Sequence, residues 1–512
     1  MENKSELKAG ALLSYVNLAI GCIIPLIYTP IMLRLLGQSE YGLYSLANSI
    51  ISYLSLLNFG IGSVVVRYVT QYRAKGDTDG VRRVLGLFVT IYSILAVIVF
   101  AAGIVLASVS NIFFAEGLSS SEIERLKIIV VILATGTAIT FPQSVFSSVA
   151  VAYEKFIFRR ILNIVSTIAA PVINLVVLAL GFGVIGMAAG SAVSQVCFTA
   201  IFLLYCKNNL GIYPVFHQMP VQLLRELIGY CAFMFLATIA DLLYWSTDKV
   251  LIGARLGSAA VGVYNIGGTF TSMLQNMSSS ISNVFTPRVT TLVVRNAPNR
   301  EVSDLLVRVG RIQFFIVSFL LSGYVVFGKC FIGLWAGNEY MDAYYVALLT
   351  MIPLSVPLIQ SIAYSTILAE NRHRFRAVAY VIIAVVNVIS TYIVLPFWGI
   401  IGAAACTGIA YIVGNGLIMN LYYYRVIHLD IPRFWKNILQ MSLLPLGLIF
   451  IFWPIVNLLI KQLTPIEFLL GVAIYSLFFL GLAWKLIMND YERNLIRGVL
   501  EKVPNIIKHT GK

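Results

Sequence analysis

Between Arg160 and Lys207 the chain runs for 46 residues without one charged side chain, and between Arg376 and Arg425 for 48. About 20 apolar residues carry a helix through the hydrocarbon of a bilayer, so each run holds two crossings. Each also carries a break near its middle, GFGVIG at Gly181–Gly186 and LPFWGIIG with Pro396 and Gly399. Glycine and proline at those points predict tight turns, and hence two helical hairpins. Single uncharged runs occupy 9–33, 41–66, 84–115, 128–153, 256–287, 343–369 and 437–460, with shorter ones at 312–328 and 468–484. An interrupted segment around 227–254 adds another. The sum is an all-α polytopic membrane protein of fourteen transmembrane helices. Composition agrees: 59% of the 512 residues are hydrophobic and 11% charged, against about 25% charged in soluble proteins.

Orientation follows from lysine and arginine. With both termini cytoplasmic, 29 of the 36 basic residues fall in inner segments and 7 in outer ones, the asymmetry that membrane insertion imposes. The net charge of +14 therefore reflects cytoplasmic loops rather than a nucleic-acid surface. The largest outer loop, about 110–127, contains SSSEIERLK, which predicts one short amphipathic helix. Six cysteines lie in or beside apolar runs without metal-like spacing and read as small core residues. After Asn489, Leu495, Ile496, Val499, Leu500, Val503 and Ile507 share a helical face and predict an interfacial anchor.

The chain also repeats itself. LLGQSEYGLY (35–44) and RLGSAAVGVY (255–264) share L-G-x4-G-x-Y at an offset of 220. GVIGMAAG (183–190) matches GIIGAAAC (399–406) at 216, and Glu154 pairs with Glu370 at the same offset. Two six-helix lobes are expected, 1–210 and 220–425, followed by two helices at 435–488 and an amphipathic tail at 489–512. Both lobes start inside, so the repeat is parallel, a transporter architecture.

These residues resemble a known family. The proline-containing first helix before R-L-L-G-x3-Y-G-L-Y, the NFGIG of Asn58–Gly62, the DKVLIG of Asp248–Gly253 and the GIIGAAA after Trp398 look like bacterial polysaccharide transporters. That family belongs to the multidrug/oligosaccharidyl-lipid/polysaccharide exporter superfamily. The resemblance implies two lobes in a V around a central cavity, alternating access, and residence in the bacterial plasma (inner) membrane. Its implied cargo is an undecaprenyl-pyrophosphate-linked oligosaccharide (an O-antigen, capsule, exopolysaccharide or teichuronic-type unit), moved from the cytoplasmic to the outer leaflet. Implied partners are that lipid-linked saccharide, membrane lipids, a polysaccharide polymerase and assembly proteins.

Ionisable residues within spans are costly and mark functional sites. Asp241 lies two-thirds of the way along the seventh span, and Asp248 stands two turns further on the same face. Both are candidate coupling or ion sites, and Asp248 has a second reading as the partner of Lys249 or a nearby arginine. For a diphosphate cargo the candidate contacts are Arg34, Arg67, Lys249, Arg255 and Arg288, since fixed cations replace its hydration. Each of these also suits a helix end that snorkels to headgroups. Pro25 and Pro30, with Gly21, predict a bent or broken first helix.

No catalytic constellation, metal spacing or GxxxxGK[ST] loop is present, so an enzyme is not expected and no cofactor is called for. Energy would come from Na+, H+ or the membrane potential. Two readings remain beside the oligosaccharide flippase: a peptidoglycan lipid-precursor flippase and a cation-coupled multidrug exporter. The exporter usually wants an acid buried in the first lobe, where spans one to six carry none. A polysaccharide polymerase or ligase would want a substantial outer loop with catalytic basic residues.

Overall fold

A computed structural model describes residues 2–58, 61–217, 219, 223, 238–239, 242–244, 246–459, 463–495 and 497. Within them every regular element is helical, because a backbone in hydrocarbon must satisfy its own polar groups. The first part runs α1 (Glu2–Leu36), α2 (Gln38–Leu54), α3 (Ile61–Ala74), α4 (Thr78–Phe113), α5 (Ser120–Ala152), α6 (Phe156–Ala179) and α7 (Gly183–Leu210). After residues outside the description come α8 (Thr247–Leu256), α9 (Ser258–Val294), α10 (Asn299–Trp335), α11 (Ala343–Ile359) and α12 (Ser361–Ala369). The remainder is α13 (His373–Tyr411), α14 (Asn420–Arg425), α15 (Ile431–Pro454) and α16 (Pro465–Leu482).

Ten of these segments are long and apolar enough to cross a membrane, and α11 with α12, bent by 51°, makes an eleventh. One of the ten, Arg374–Arg425, spans 52 residues. A straight helix of that length would be roughly 78 Å, more than twice the hydrocarbon thickness. Gly399, at φ 56 and ψ −146, breaks it where the sequence predicts a hairpin. The other predicted hairpin turns between α6 and α7.

Three local expectations are corrected. Pro25 and Pro30 lie inside α1, which continues through both as one helix; lipid offers no competing partner for a broken backbone. SSSEIERLK forms no separate helix. Ser119 accepts from the Glu122 backbone while Glu122 returns to Ser119, and this capping box starts the 33-residue α5. The uncharged run 41–66 is interrupted, since α2 ends in a 3-10 turn at Ser55–Asn58 before α3.

The backbone itself carries the repeat. Twelve described residues adopt positive φ, and ten form five pairs: Gly37 with Gly257, Gly76 with Asn296, Glu154 with Asn371, Gly183 with Gly399, and Gly211 with His428. Glu154 thus corresponds to Asn371 and not to Glu370. The Glu154 amide bonds Val151 (2.9 Å) as the Asn371 amide bonds Leu368 (3.1 Å). The glycines of L-G-x4-G-x-Y meet reciprocally: a Cβ on Gly42 would lie 1.7 Å from the Ser258 carbonyl, and one on Gly262 would lie 2.9 Å from that of Gln38. Position 38 corresponds to 258 and 42 to 262, so this is the contact a two-fold repeat makes with itself.

By contact the chain forms two compact units, residues 1–268 with 374–410, and residues 269–373 with 411–512. In the first, α5 is the hub, packed on α2, α3, α4 and α7, while α1 lies along α6. At one end of α5, Arg73 donates to the Ala152 carbonyl (2.8 Å) and the Val215 amide to that of Arg82 (3.1 Å). At the other end, Ser39 and Ser258 donate to one oxygen of Glu122 (2.7 and 2.5 Å), and Arg125 pairs with Glu40. Segments expected on the same side of the membrane therefore do gather in this unit.

In the second unit α10 is the hub for α11, α15 and α16. Val326, Phe327, Leu448, Tyr475 and Phe479 fill its core. The buried Arg311 side chain makes a two-pronged pair with Glu492 (2.7 and 3.0 Å) and donates to the Ile487 carbonyl (2.9 Å). The start of the tail is thus bolted to α10, while most of the predicted interfacial anchor lies outside the described residues. Arg311→Met is expected to cost about 3–5 kcal/mol by stranding the carboxylate, and Arg311→Met with Glu492→Met is expected to recover most of it. Thermal unfolding in detergent measures both.

Candidate functional site

The sequence DKVLIG opens α8, and its first two charged side chains part company. Successive helical residues point about 100° apart, so Asp248 turns into the first unit while Lys249 turns toward a cavity. Asp248 is 0% exposed. One of its oxygens accepts from the Tyr264 and Thr407 hydroxyls, both at 2.6 Å, and the other from Thr391 at 3.5 Å. Asn387 donates to Thr407 (3.1 Å), and its own buried carbonyl oxygen has no hydrogen-bond partner among the described residues. Asp248 has no ion pair among the described residues. The expected pairing with Lys249 or an arginine is replaced by hydroxyl donors, which offset desolvation without neutralising the charge.

Lys249 is half-buried and lines a cavity of about 290 Å³ with Tyr28, Tyr44, Asn48, Asn174 and Asn265. Its ammonium donates to the Asn265 side-chain oxygen at 2.6 Å. The Asn265 amide in turn donates to the Tyr41 hydroxyl at 2.5 Å, which fixes the oxygen toward the lysine. On the far wall the Tyr44 hydroxyl lies 3.1 Å from that of Ser191, and Ser191 donates to Asn174 at 3.3 Å. A lysine facing a chamber of hydroxyls and amides, with no carboxylate in ion-pair reach among the described residues, suits an anion that also bears hydroxyl groups.

The other predicted contacts are not gathered here. Arg34 is exposed in the last turn of α1. Arg67 is exposed on α3, near the Tyr68 ring at 5.8 Å. Arg255 is tied to the Tyr392 hydroxyl (2.5 Å), its ring (4.8 Å) and Glu116 (3.3 Å). Arg288 is exposed on α9 in the second unit. Asp241 lies outside the described residues. Sequence reasoning missed Tyr264, Thr391, Thr407 and Asn387, which come from distant positions. One signal was available: Tyr41, Ser45, Asn48 and Ser52 recur at helical spacing in an otherwise apolar run. Among the described residues no group of three or more His, Cys, Asp or Glu could hold a metal.

The chain is similar to several known proteins. A probable low-salt glycan biosynthesis flippase, Agl15 of Haloferax volcanii, is 23% identical over 39% of this chain, and the chain spans 42% of that relative's length. The uncharacterized membrane protein EpsK of Bacillus subtilis is 19% identical over 80% of this chain and 82% of its own. Among solved structures, the lipid II flippase MurJ in an inward closed conformation superposes with a TM-score of 0.73 at 16% identity, covering 95% of this chain and 99% of that one. An inward-facing multidrug resistance MATE family transporter of the MOP superfamily gives 0.61 at 15% identity, covering 83% and 99%. At such identities the likeness is one of fold. Ten apolar spans on that fold make this a multi-pass membrane protein. Residues 7–293 match the pattern described as polysaccharide biosynthesis protein, and the chain belongs to that family.

Proposed function

We propose that the chain is a flippase that moves an undecaprenyl-pyrophosphate-linked oligosaccharide from the cytoplasmic to the outer leaflet by alternating access. The observation that carries this reading is Lys249, a cation facing a hydroxyl- and amide-lined chamber beside α1 and α2. A cationic drug would be repelled there, whereas a saccharide diphosphate finds both a charge and hydrogen-bond partners. Similarity to the lipid II flippase fold also supports a lipid-linked cargo, and a peptidoglycan precursor is the second reading on that ground. Arg34, Arg67, Arg255 and Arg288 act at the helix ends, as headgroup contacts along the path. A polymerase and assembly proteins would receive the product.

The proposed topology has fourteen spans with both termini inside. Dividing Arg374–Arg425 at Gly399, counting α9 as a polar span, and adding the segment that ends in α8 extends the eleven to fourteen. The repeat halves 1–210 and 220–425, helices at 435–488 and the tail at 489–512 are the proposed organisation, supported by the five backbone pairs. Lobes in a V complete it.

Asp248, with Thr391, Thr407 and the unpartnered Asn387 oxygen, is the proposed coupling site for Na+ or H+, and Asp241 a second candidate. A single acid among neutral oxygens fits a monovalent cation better than a divalent one. Asp248→Asn is expected to abolish the dependence of flipping on an imposed Na+ or H+ gradient in proteoliposomes and to slow driven flipping by about 10-fold or more. An Asp248→Asn variant that still accelerates under the same gradient would remove this residue from coupling.

A further inference from the structure

The first unit holds a second polar cavity, of about 500 Å³, lined by Ser55, Asn58, Ser144, Ser148 and Arg159 among others. It follows the Lys249 cavity along α2 and the 3-10 turn at Ser55–Asn58 that ends it. Tyr41, Ser45, Asn48 and Ser52 of α2 face the Lys249 cavity, and Ser55 and Asn58, one turn further, face the Arg159 cavity. From residue 41 to residue 58 this polar stripe is about 25 Å long, most of the hydrocarbon thickness. Among the described residues each cavity presents one cation.

The hydrogen bonds bias this lining in one direction. Ser49 donates to the Ser45 carbonyl (2.9 Å) and Ser52 to that of Asn48 (2.8 Å). In the second cavity, Ser144 donates to the Phe141 carbonyl (2.6 Å) and Ser148 to that of Ser144 (2.8 Å). A serine hydroxyl has one proton. Once that proton bonds the helix, the oxygen can only accept. The hydroxyls of Ser49, Ser52, Ser144 and Ser148 thus face outward as acceptors, while Asn48 and Asn58, whose Oδ1 is taken by Tyr92 (2.7 Å), keep amide donors, a mixed lining with a cation at each station that matches a polyhydroxylated group carrying negative charge. A cationic amphiphile would be repelled.

We propose that the Arg159 cavity is an entry station for the saccharide headgroup, occupied before the Lys249 cavity, and that the headgroup passes between them along the hydroxyl stripe of α2. This rests on the flippase reading above. Arg159 follows Lys155 in the segment whose basic residues mark the cytoplasmic side, where the cargo is made.

The test separates capture from passage, using the full chain in proteoliposomes and a fluorescent lipid-linked oligosaccharide. Arg159→Gln is expected to raise KM for flipping by about 10-fold, the loss of one charge-assisted contact, with kcat within about 2-fold of wild type. Arg159→Lys should restore most of it. The Ser144→Ala and Ser148→Ala pair, which touches no charge, is expected to raise KM by about 3-fold through lost acceptors. An unchanged KM in both Arg159→Gln and the serine pair overturns the entry station. Binding of a soluble geranyl-pyrophosphate oligosaccharide in detergent gives the second readout. Wild type that neither binds nor flips the saccharide overturns the flippase reading itself. Wild type that does both, with variants identical to it, overturns the station alone.

Discussion

Lys249→Ala is expected to slow flipping of a lipid-linked oligosaccharide by about 100-fold or more, the scale of losing a half-buried charge that pairs with the cargo. The same substitution is expected to leave thermal stability unchanged or raised. Lys249 forms no ion pair among the described residues: its hydrogen bond there is to Asn265 at 2.6 Å, and the Asp248 carboxylate acts on it only through space. Holding a half-buried ammonium with only that partial compensation opposes folding, and alanine relieves that cost. Lost transport with retained or improved stability identifies a residue kept for its cargo, the usual signature of a functional site. Parallel loss of both would make Lys249 a structural residue. Arg255, already engaged by Tyr392 and Glu116, serves as the control and is expected to cost far less.

The second large effect is steric. Gly42→Ala is expected to destabilise the protein by about 3 kcal/mol or more, at the upper end of overpacking, because the contacted atom is backbone. The new Cβ would stand 1.7 Å from the Ser258 carbonyl oxygen, so α2 and α9 cannot keep their approach. Gly262→Ala, at 2.9 Å from Gln38, is expected to cost less, and Gly21→Ala, with nothing within 4 Å, nothing measurable. Unfolding midpoints of the three variants in one detergent should rank in that order. A neutral Gly42→Ala would mean the reciprocal contact is not tight.

Much of the scaffold is legible before any coordinates. Uncharged runs longer than a bilayer needs mark the spans, and Gly183 and Gly399 mark the hairpins because few other residues accept their backbone. The repeat motif likewise locates Gly37 and Gly257. The slip from Glu370 to Asn371 shows where pattern misleads: identity of a side chain pointed to one residue, whereas the left-handed turn selects its neighbour. The site was harder to read. Asp248 and Lys249 announce themselves as charges in a greasy segment, but their opposite fates depend on partners 16 to 159 residues away, such as Tyr264, Asn265, Thr391 and Thr407. No local periodicity encodes those distances. The arginines were grouped by their position at helix ends, a property that snorkelling shares with cargo contact.

The most direct measurement follows a fluorescent undecaprenyl-pyrophosphate oligosaccharide across proteoliposomes of the purified protein, with a membrane-impermeant quencher reporting leaflet exchange. The expected result is quenching of the inner-leaflet pool at a protein-dependent rate that Lys249→Ala abolishes, and no transport of cationic dyes. Protein-dependent dye export without saccharide exchange would contradict the assignment of cargo.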